Sequence, residues 1–436
     1  MAVHATKLIF SYSCDGSLHM TNIKAPRFNP SSPDFQENLY TIYQNMRKKA
    51  VTRIGKTWVL TRYTDVYRAF KDNSLVSLGI PDDLHGELEK LDFNVSPSLR
   101  DLIYGIILFE DGHNHHQHRR ALQTVFSGES WNTLSEIIYY ESHSLLAKSV
   151  TNCKFDGIKH LAAPLWKKLF YSWLNLPHEL QEVVEQEQSA IRLLLDPSAI
   201  DKLGLQRLIN AISRLDHAFN QLAHAHINGY DSIFYRNLLK GYGGDENILL
   251  KRFSTDCITI LLGGSETSEA LTGNLLYVLA QSPNLQEDIR CSNLKVKDIV
   301  NEVMRFESPL QMTRRKVKTP INYMGHELKV GDNVLLCLGA ANRDETVFEE
   351  AWKFNPSRKN SQRHLGFGVG AHRCIGQMLA QSQAENLALA LCERGMISAD
   401  GVANWSSSSL ILRTLEFLPL KVVPLKTEQY TTNINS

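Results

Sequence analysis

The chain lacks any marked excess of charge, any long apolar run, any paired cysteines and any internal repeat. Its 436 residues carry 47 Lys and Arg against 46 Asp and Glu, a formal net charge of +1. No global field therefore points to nucleic acid or to an acidic membrane. Seven cysteines (Cys14, Cys153, Cys257, Cys291, Cys337, Cys374 and Cys392) are scattered without a Cys-x-x-Cys pair. That spacing fits reduced thiols in a cytosol better than a disulfide framework. Apolar stretches such as Cys257–Leu262 fall far short of the ~20 residues a membrane span requires. The short patch Leu8–Phe10 is soon followed by Asp15 and reads as neither secretory signal nor anchor. With 43% hydrophobic and 21% charged residues, the composition is that of an ordinary globular protein. Disordered, collagen-like and disulfide-dense classes are excluded, and a soluble cytoplasmic protein is expected.

Length alone gives a prior of roughly three domains, but no Gly/Ser-rich or Pro-rich linker divides the chain. Residues 1 to about 30 read as a loosely ordered arm, with Pro26, Pro30 and Pro33 blocking long helices. Residues 31–436 read as one large, mainly α domain with a smaller β-rich portion. Trp58–Thr61 is a β-type run, and Thr64–Asp72 a helix with Val66, Ala69 and Phe70 on one side. Residues 115–285 are mostly helical, with Pro164, Pro177 and Pro197 marking starts or breaks and Gly241–Gly244 a loop. Residues 315–340 switch to strands, with turns at Met324-Gly325 and Gly331-Asp332. One helix near 376–392 and a short β-rich tail follow.

Glu246–Gln281 is the longest helical pattern and is stopped by Ser282-Pro283. At ~1.5 Å per residue it spans roughly 50 Å. Around Cys257–Leu262 it is apolar on every side, the mark of a buried helix. Gly263-Gly264-Ser265-Glu266-Thr267 falls inside this stretch, although each helical glycine costs about 1 kcal/mol relative to alanine. The pair can open the helix or let something flat pack on its backbone; it can equally be a weakened helix with a polar kink.

The strongest signal is Phe367-Gly368-Val369-Gly370-Ala371-His372-Arg373-Cys374-Ile375-Gly376. Its glycines allow tight turns or contact with a large ligand. Cys374 sits just before a helix, where backbone N–H groups favour a thiolate. A lone thiolate suits a metal needing one protein ligand, such as haem iron. A buried inert cysteine and a nucleophile are the alternatives, though a nucleophile would want a paired base with a third group behind it.

This string resembles the haem-binding loop of the cytochrome P450 family, Phe-Gly-x-Gly-x-His-x-Cys-x-Gly, at every fixed position. Gly264-Ser265-Glu266-Thr267 is similar to the family's oxygen-binding helix signature, with Gly263 in place of the usual alanine. Glu302-Val303-Met304-Arg305 matches its Glu-x-x-Arg motif. Phe354–Arg358 looks like the segment supplying the third member of a Glu–Arg–Arg network, here Arg358. Ala341-Asn342-Arg343-Asp344 matches a stretch frequent in bacterial members.

The resemblance implies the P450 fold, with haem b between the long helix and the cysteine loop. Cys374 is then the axial iron ligand, and Gly264, Phe367, Gly368, Gly370, His372 and Gly376 frame the cofactor. His115, Arg119, Arg315 and His364 are its expected propionate partners. His113, His116 and His118 are expected in solvent, and their spacing splits across helix faces, which disfavours a separate metal site. Glu266 and Thr267 resemble the acid–alcohol pair that delivers protons for O–O cleavage. Glu302, Arg305 and Arg358 form a structural network. Three departures stand out: Gly263, Gln381 where an arginine often follows Leu379-Ala380, and Asp111-Gly112-His113 in place of a Pro-rich opening.

The function implied is insertion of one oxygen atom from O2 into a medium-sized, mostly apolar molecule, in secondary metabolism. Electrons would come from NAD(P)H through a ferredoxin or flavodoxin and its reductase, to a monomer without membrane anchor. Arg119, Arg120 and Arg373 are expected near the face where such an acidic partner would dock, an ordinary solvated patch being the alternative. A peroxide-driven or non-oxygenating haem enzyme, and a non-catalytic haem-binding module, are the alternatives.

Overall fold

The computed structural model describes residues 28–424, apart from 30, 31, 33, 34, 50, 78, 94, 151–153, 196–200, 408 and 410. The N-terminal arm, save two residues, and Pro197 lie outside the described residues. In chain order the elements begin with α1 (Phe35–Arg47), β1 (Val51–Ile54), β2 (Thr57–Leu60), α2 (Tyr63–Ala69), β3 (Leu75–Val76), α3 (Gly79–Lys90) and α4 (Pro97–Tyr104). There follow α5 (Gly112–Gln123), α6 (Gly128–Val150), β4 (Lys154–Asp156), α7 (Ala163–Leu174), α8 (His178–Ile191), α9 (Lys202–Ile227) and α10 (Ile233–Gly241). The long helix α11 (Glu246–Gln281) leads to α12 (Pro283–Arg290), α13 (Val296–Phe306), β5 (Met312–Val317), β6 (Ile321–Tyr323), β7 (His326–Leu328) and β8 (Asn333–Cys337). The chain closes with α14 (Leu338–Ala341), α15 (Gln377–Arg394), β9 (Gly395–Ala399), β10 (Asn404–Trp405), β11 (Leu415–Phe417) and β12 (Pro419–Pro424).

Helix α11 begins at Asp245, whose carboxylate accepts the N–H groups of Asn247 and Ile248. It ends where Pro283 opens the next helix. Because α11 is buried almost all round, two cores grow on it. Its first half packs against α7 and α9 through Ile258, Leu261, Trp166, Phe170 and Phe219. Its second half packs against α13 and α15 through Leu271, Leu275, Val303, Leu387 and Leu391. Pro164 falls in the first turn of α7, and Pro177 caps α8.

A five-stranded sheet of order β1-β2-β8-β5-β3 flanks this helical body. It is antiparallel except for the β2–β8 pair, in register Thr57↔Asn333 through Leu60↔Leu336. Hairpin β6–β7 turns at Met324-Gly325, both with positive φ. A three-stranded sheet, β4-β12-β9, closes the other end. No helix among the described residues is long and apolar enough to cross a membrane.

Candidate haem site

A cavity of about 540 Å³ lies between the middle of α11, the loop 366–376, helix α5 and strands β5 and β8. Cys374 opens into it, with Phe367, Gly368, His372 and Gly376 on the same wall. The loop is closed by its own backbone: the Cys374 N–H donates to the Phe367 carbonyl at 2.8 Å, and Gly368 and Gly370 take the left-handed φ values this turn requires. Gly370 supports the turn from outside the cavity, where a Cβ would meet the Phe70 carbonyl oxygen at 3.0 Å. Burial pushes the Cys374 thiol up, against the Gly376 N–H and the cations of Arg119 and Arg373, which draw it back toward thiolate.

On the opposite wall, α11 presents Gly263, Gly264, Thr267 and Ser268. The two glycines serve different ends. A Cβ on Gly263 would meet nothing within 4 Å, so the helix offers bare backbone to the cavity. A Cβ on Gly264 would fall 2.2 Å from the Trp166 indole, so this glycine is needed for packing against α7. Thr267 donates its hydroxyl to the Gly263 carbonyl at 2.6 Å. Glu266 is absent from the wall: one residue turns a side chain by about 100° around a helix, and its carboxylate lies 3.7 Å from Arg192 instead. Burial raises its pKa, against the pull of Arg192. One turn on, Glu269 is pushed up to about 7, by burial first and by Glu266 second. Glu269 escaped the sequence reading, although its i, i+3 spacing from Glu266 was legible.

Helix α5 contributes His115 and Arg119, and β5 contributes Arg315. The His115 ring lies 4.1 Å from that of His372 between centroids, and His372 is held by Asp111 at 3.0 Å. Burial, with His372 and Arg119 close by, lowers His115 to about 4. Arg119 donates to the Arg373 carbonyl at 2.6 Å, which turns it inward and leaves Arg120 and Arg373 on the surface. Burial lowers Arg315 to about 10, with Asp111 opposing.

Two expectations are corrected here. His364 is not on the cavity wall. The turn at Ser361–Arg363 carries it behind Phe367, where its Nδ1 accepts the Gly366 N–H and it lines a separate outer cleft. Burial and the nearby cations of Arg373 and Arg305 lower it to about 3. His118 is not in solvent. It is buried between Glu110 (2.8 Å) and Asp256 on α11 (2.5 Å), with Tyr242 donating to Asp256 and Arg252 to Glu110. Burial disfavours its charge, but the two carboxylates outweigh that and raise it to about 9.

Behind the loop, Glu302 and Arg305 are fully buried and joined by two parallel bonds of 2.7 and 2.8 Å. Arg358 (3.3 Å) and the Asn355 N–H (2.8 Å) complete the carboxylate's partners. Arg305 also donates to the carbonyls of Asn342, Ala351 and Lys353. Asn342 extends the network to the cysteine loop by accepting the Leu365 N–H at 2.6 Å. Gln381 links α15 to α13 through Asn301 at 2.9 Å.

The cytochrome P450 family model matches residues 294–392, the stretch holding both this network and the cysteine loop. The chain is 26% identical over 402 residues to the biotin biosynthesis cytochrome P450 of Bacillus subtilis, covering 89% of this chain and 98% of that protein. The chain belongs to the cytochrome P450 family. It is a cytochrome P450 monooxygenase, and the family implies a haem-thiolate cofactor. Among its bacterial relatives, the polyketide biosynthesis cytochrome P450 PksS of Bacillus subtilis is 24% identical over 91% of this chain and 98% of that one. The P450 fold is matched by the crystal structure of CalO2, with a TM-score of 0.81, 21% identity and coverage of 91% and 99%. P450BioI, solved in complex with a fatty-acyl-ligated acyl carrier protein, matches with a TM-score of 0.79, 22% identity and coverage of 89% and 100%.

The residues present fit haem. His115 has a buried Nδ1 with no hydrogen-bond partner, and it shares the cavity with Arg119 and Arg315. An orphaned buried polar atom beside two cations calls for acceptors from a ligand, and two propionates supply them. The bare backbone at Gly263 and the Cys374 thiol line this same cavity.

Proposed function

We propose that residues 31–436 act as one haem-binding unit that inserts an oxygen atom from O2 into a medium-sized, mostly apolar molecule, by hydroxylation or epoxidation, in secondary metabolism. The observation that carries this reading is the single cavity holding both the Cys374 thiol and the Thr267 hydroxyl. Bound haem supplies the reduction of dioxygen and the transfer of one oxygen atom. Cys374 would hold the iron, and His115, Arg119, His372 and Arg315 would hold the propionates. Thr267 keeps a proton at Oγ1 on the cavity wall, where a hydroxyl can both donate and accept. Glu266, with Glu269 one turn on, stands in reserve at the helix edge. Burial holds both carboxyls above the usual range, so they exchange protons nearer neutral pH.

Much of the remaining wall is apolar, with Ile107, Leu122, Leu195, Ile260, Leu262 and Leu310 lining it. Such a lining selects an apolar body and leaves orientation to a few polar groups. The names of relatives acting in biotin and polyketide biosynthesis support a biosynthetic role. Electrons would come from NAD(P)H through a ferredoxin or flavodoxin and its reductase, and a cytoplasmic monomer is the state proposed. The test is the absorption spectrum of dithionite-reduced protein with and without carbon monoxide. A Soret band at the long-wavelength position of a thiolate–iron–CO complex is expected. A short-wavelength band in folded protein, or no haem at all, would overturn the reading.

A further inference from the structure

The cavity does not end at the haem wall. It continues onto the inner strands of the five-stranded sheet, where Thr57, Arg314, Asn333 and Leu335 line it. The register pairs Arg314 with Leu335 and Thr57 with Asn333. Directly opposite residues, and those two apart on one strand, share a face, so these four side chains form one patch.

That patch carries a surplus of positive charge. Arg314 contacts Asp83 of α3 through Nη1 at 2.8 Å, and Lys316 contacts the other oxygen of the same carboxylate at 2.8 Å. Among the described residues, Asp83 is the one carboxylate paired with either cation, so two positive charges share one negative. The three side chains are only 18%, 25% and 30% exposed, which limits how far water can compensate. The Nη2 of Arg314 is buried with no hydrogen-bond partner, and so is the Oδ1 of Asn333 beside it. Buried guanidinium N–H groups without acceptors are costly, and a ligand is one way to satisfy them.

The other cations on the cavity wall are engaged elsewhere. Arg119 bonds the Arg373 carbonyl, the Arg373 side chain bonds Gln377, and Arg315 has Asp111 beside it. Seating haem would therefore leave the Arg314 end unchanged.

We propose that Arg314 receives the carboxylate of the substrate, and that this enzyme acts on carboxylic acids with an apolar body. The inference rests on the monooxygenase reading of the cavity. One surplus charge and one free Nη2 match a monoanion rather than a dianionic phosphate. Arginine's planar fork binds Asp83 with one arm and offers the other to the ligand. The Asn333 amide can turn over to present its N–H groups to the same anion. With the anion held on the sheet, the apolar body lies along the α11 wall, and oxidation falls on a carbon remote from the carboxylate.

The test uses holoenzyme at pH 8 with matched pairs: saturated carboxylic acids of ten to eighteen carbons, and deoxycholic acid, each against its methyl ester. Affinities are read by equilibrium dialysis. At least one acid is expected to bind ten-fold or more tightly than its ester. In Arg314→Gln that preference should fall within two-fold. Asp83→Asn, which removes the competing carboxylate, should raise the acid-to-ester ratio. The proposal is overturned if no acid is preferred, if nothing in the panel binds, if Arg314→Gln keeps the preference, or if Asp83→Asn lowers the ratio. Should Arg314→Gln fail to fold, the Asp83→Asn ratio alone decides, and an unchanged ratio then counts against the proposal. The carbon monoxide spectrum of the same preparation separates the two readings. A thiolate-type band without acid preference removes this inference and leaves the proposed function standing.

Discussion

Replacing His118 by glutamine isolates one buried charge that joins α5, the helix carrying His115 and Arg119, to α11. Glutamine keeps a donor for one of the two carboxylates but cannot carry the charge. In the folded protein His118 titrates at about 9 against an ordinary value of 6.5. At ~1.4 kcal/mol per pKa unit, the ion contributes roughly 3 kcal/mol. The side chain is 3% exposed, so no discount for solvent applies. The lowering of Glu110 is largely this same contact seen from the carboxylate, and is not added. Because the folded pKa is raised, the contribution is complete below pH 6.5 and is lost as pH rises through about 9. Unfolding entropy of ~2.1 cal/mol/K per residue gives a chain of this length about 0.9 kcal/mol/K, so the effect amounts to about 3 °C in melting temperature. The assay is thermal unfolding of wild type and His118→Gln, both haem-loaded, from pH 6 to pH 10. The gap between them should close by about 3 °C over that range, steadily between pH 6.5 and pH 9 and little beyond. A gap that stays constant with pH would refute the buried imidazolium.

Cys374→Ala should remove the thiolate band from the carbon monoxide spectrum, and retention of the wild-type band would rule out this ligand. Thr267→Ala deletes the hydroxyl bonded to the Gly263 carbonyl; more of the NAD(P)H consumed should appear as hydrogen peroxide and less as product. Unchanged coupling would mean that another group holds the proton. Gly264→Ala places a methyl group against the Trp166 indole and should cost about 1–3 kcal/mol in urea unfolding. Combining it with Trp166→Phe should cost less than the sum of the single changes; strict additivity would exclude the clash.

The parts of this molecule that were legible in the sequence are those fixed by local chemistry. Helix α11 could be read over Glu246–Gln281 because a continuous helical pattern, an all-round apolar stretch and the stop at Ser282-Pro283 are neighbours along the chain. The cysteine loop could be read because its glycines are demanded by its own turn. Burial by distant partners was not legible. His118 sits in a run of histidines that looks solvated, and Asp256, which helps bury it, is 138 residues away. Spacing from Phe367 likewise does not reveal on which side of the loop His364 will lie. Thr267 and Glu266 are adjacent in sequence, yet helical geometry divides them between the cavity and the Arg192 side. The acid-binding patch is hidden for a related reason: Asp83, Arg314 and Asn333 meet only when α3 docks on a finished sheet.

The cavity walls span almost the whole chain, from Thr57 on β2 to Ile411 before β11. This has a consequence for biogenesis. No early fragment emerging from the ribosome possesses the pocket, and a thiol at position 374 meets its opposing helix only after most of the polypeptide has been made. Closing so many long loops belongs among the slow steps of folding. The prosthetic group is thus captured by a nearly complete protein, so its supply acts on how long finished apoprotein survives rather than on how the chain first collapses.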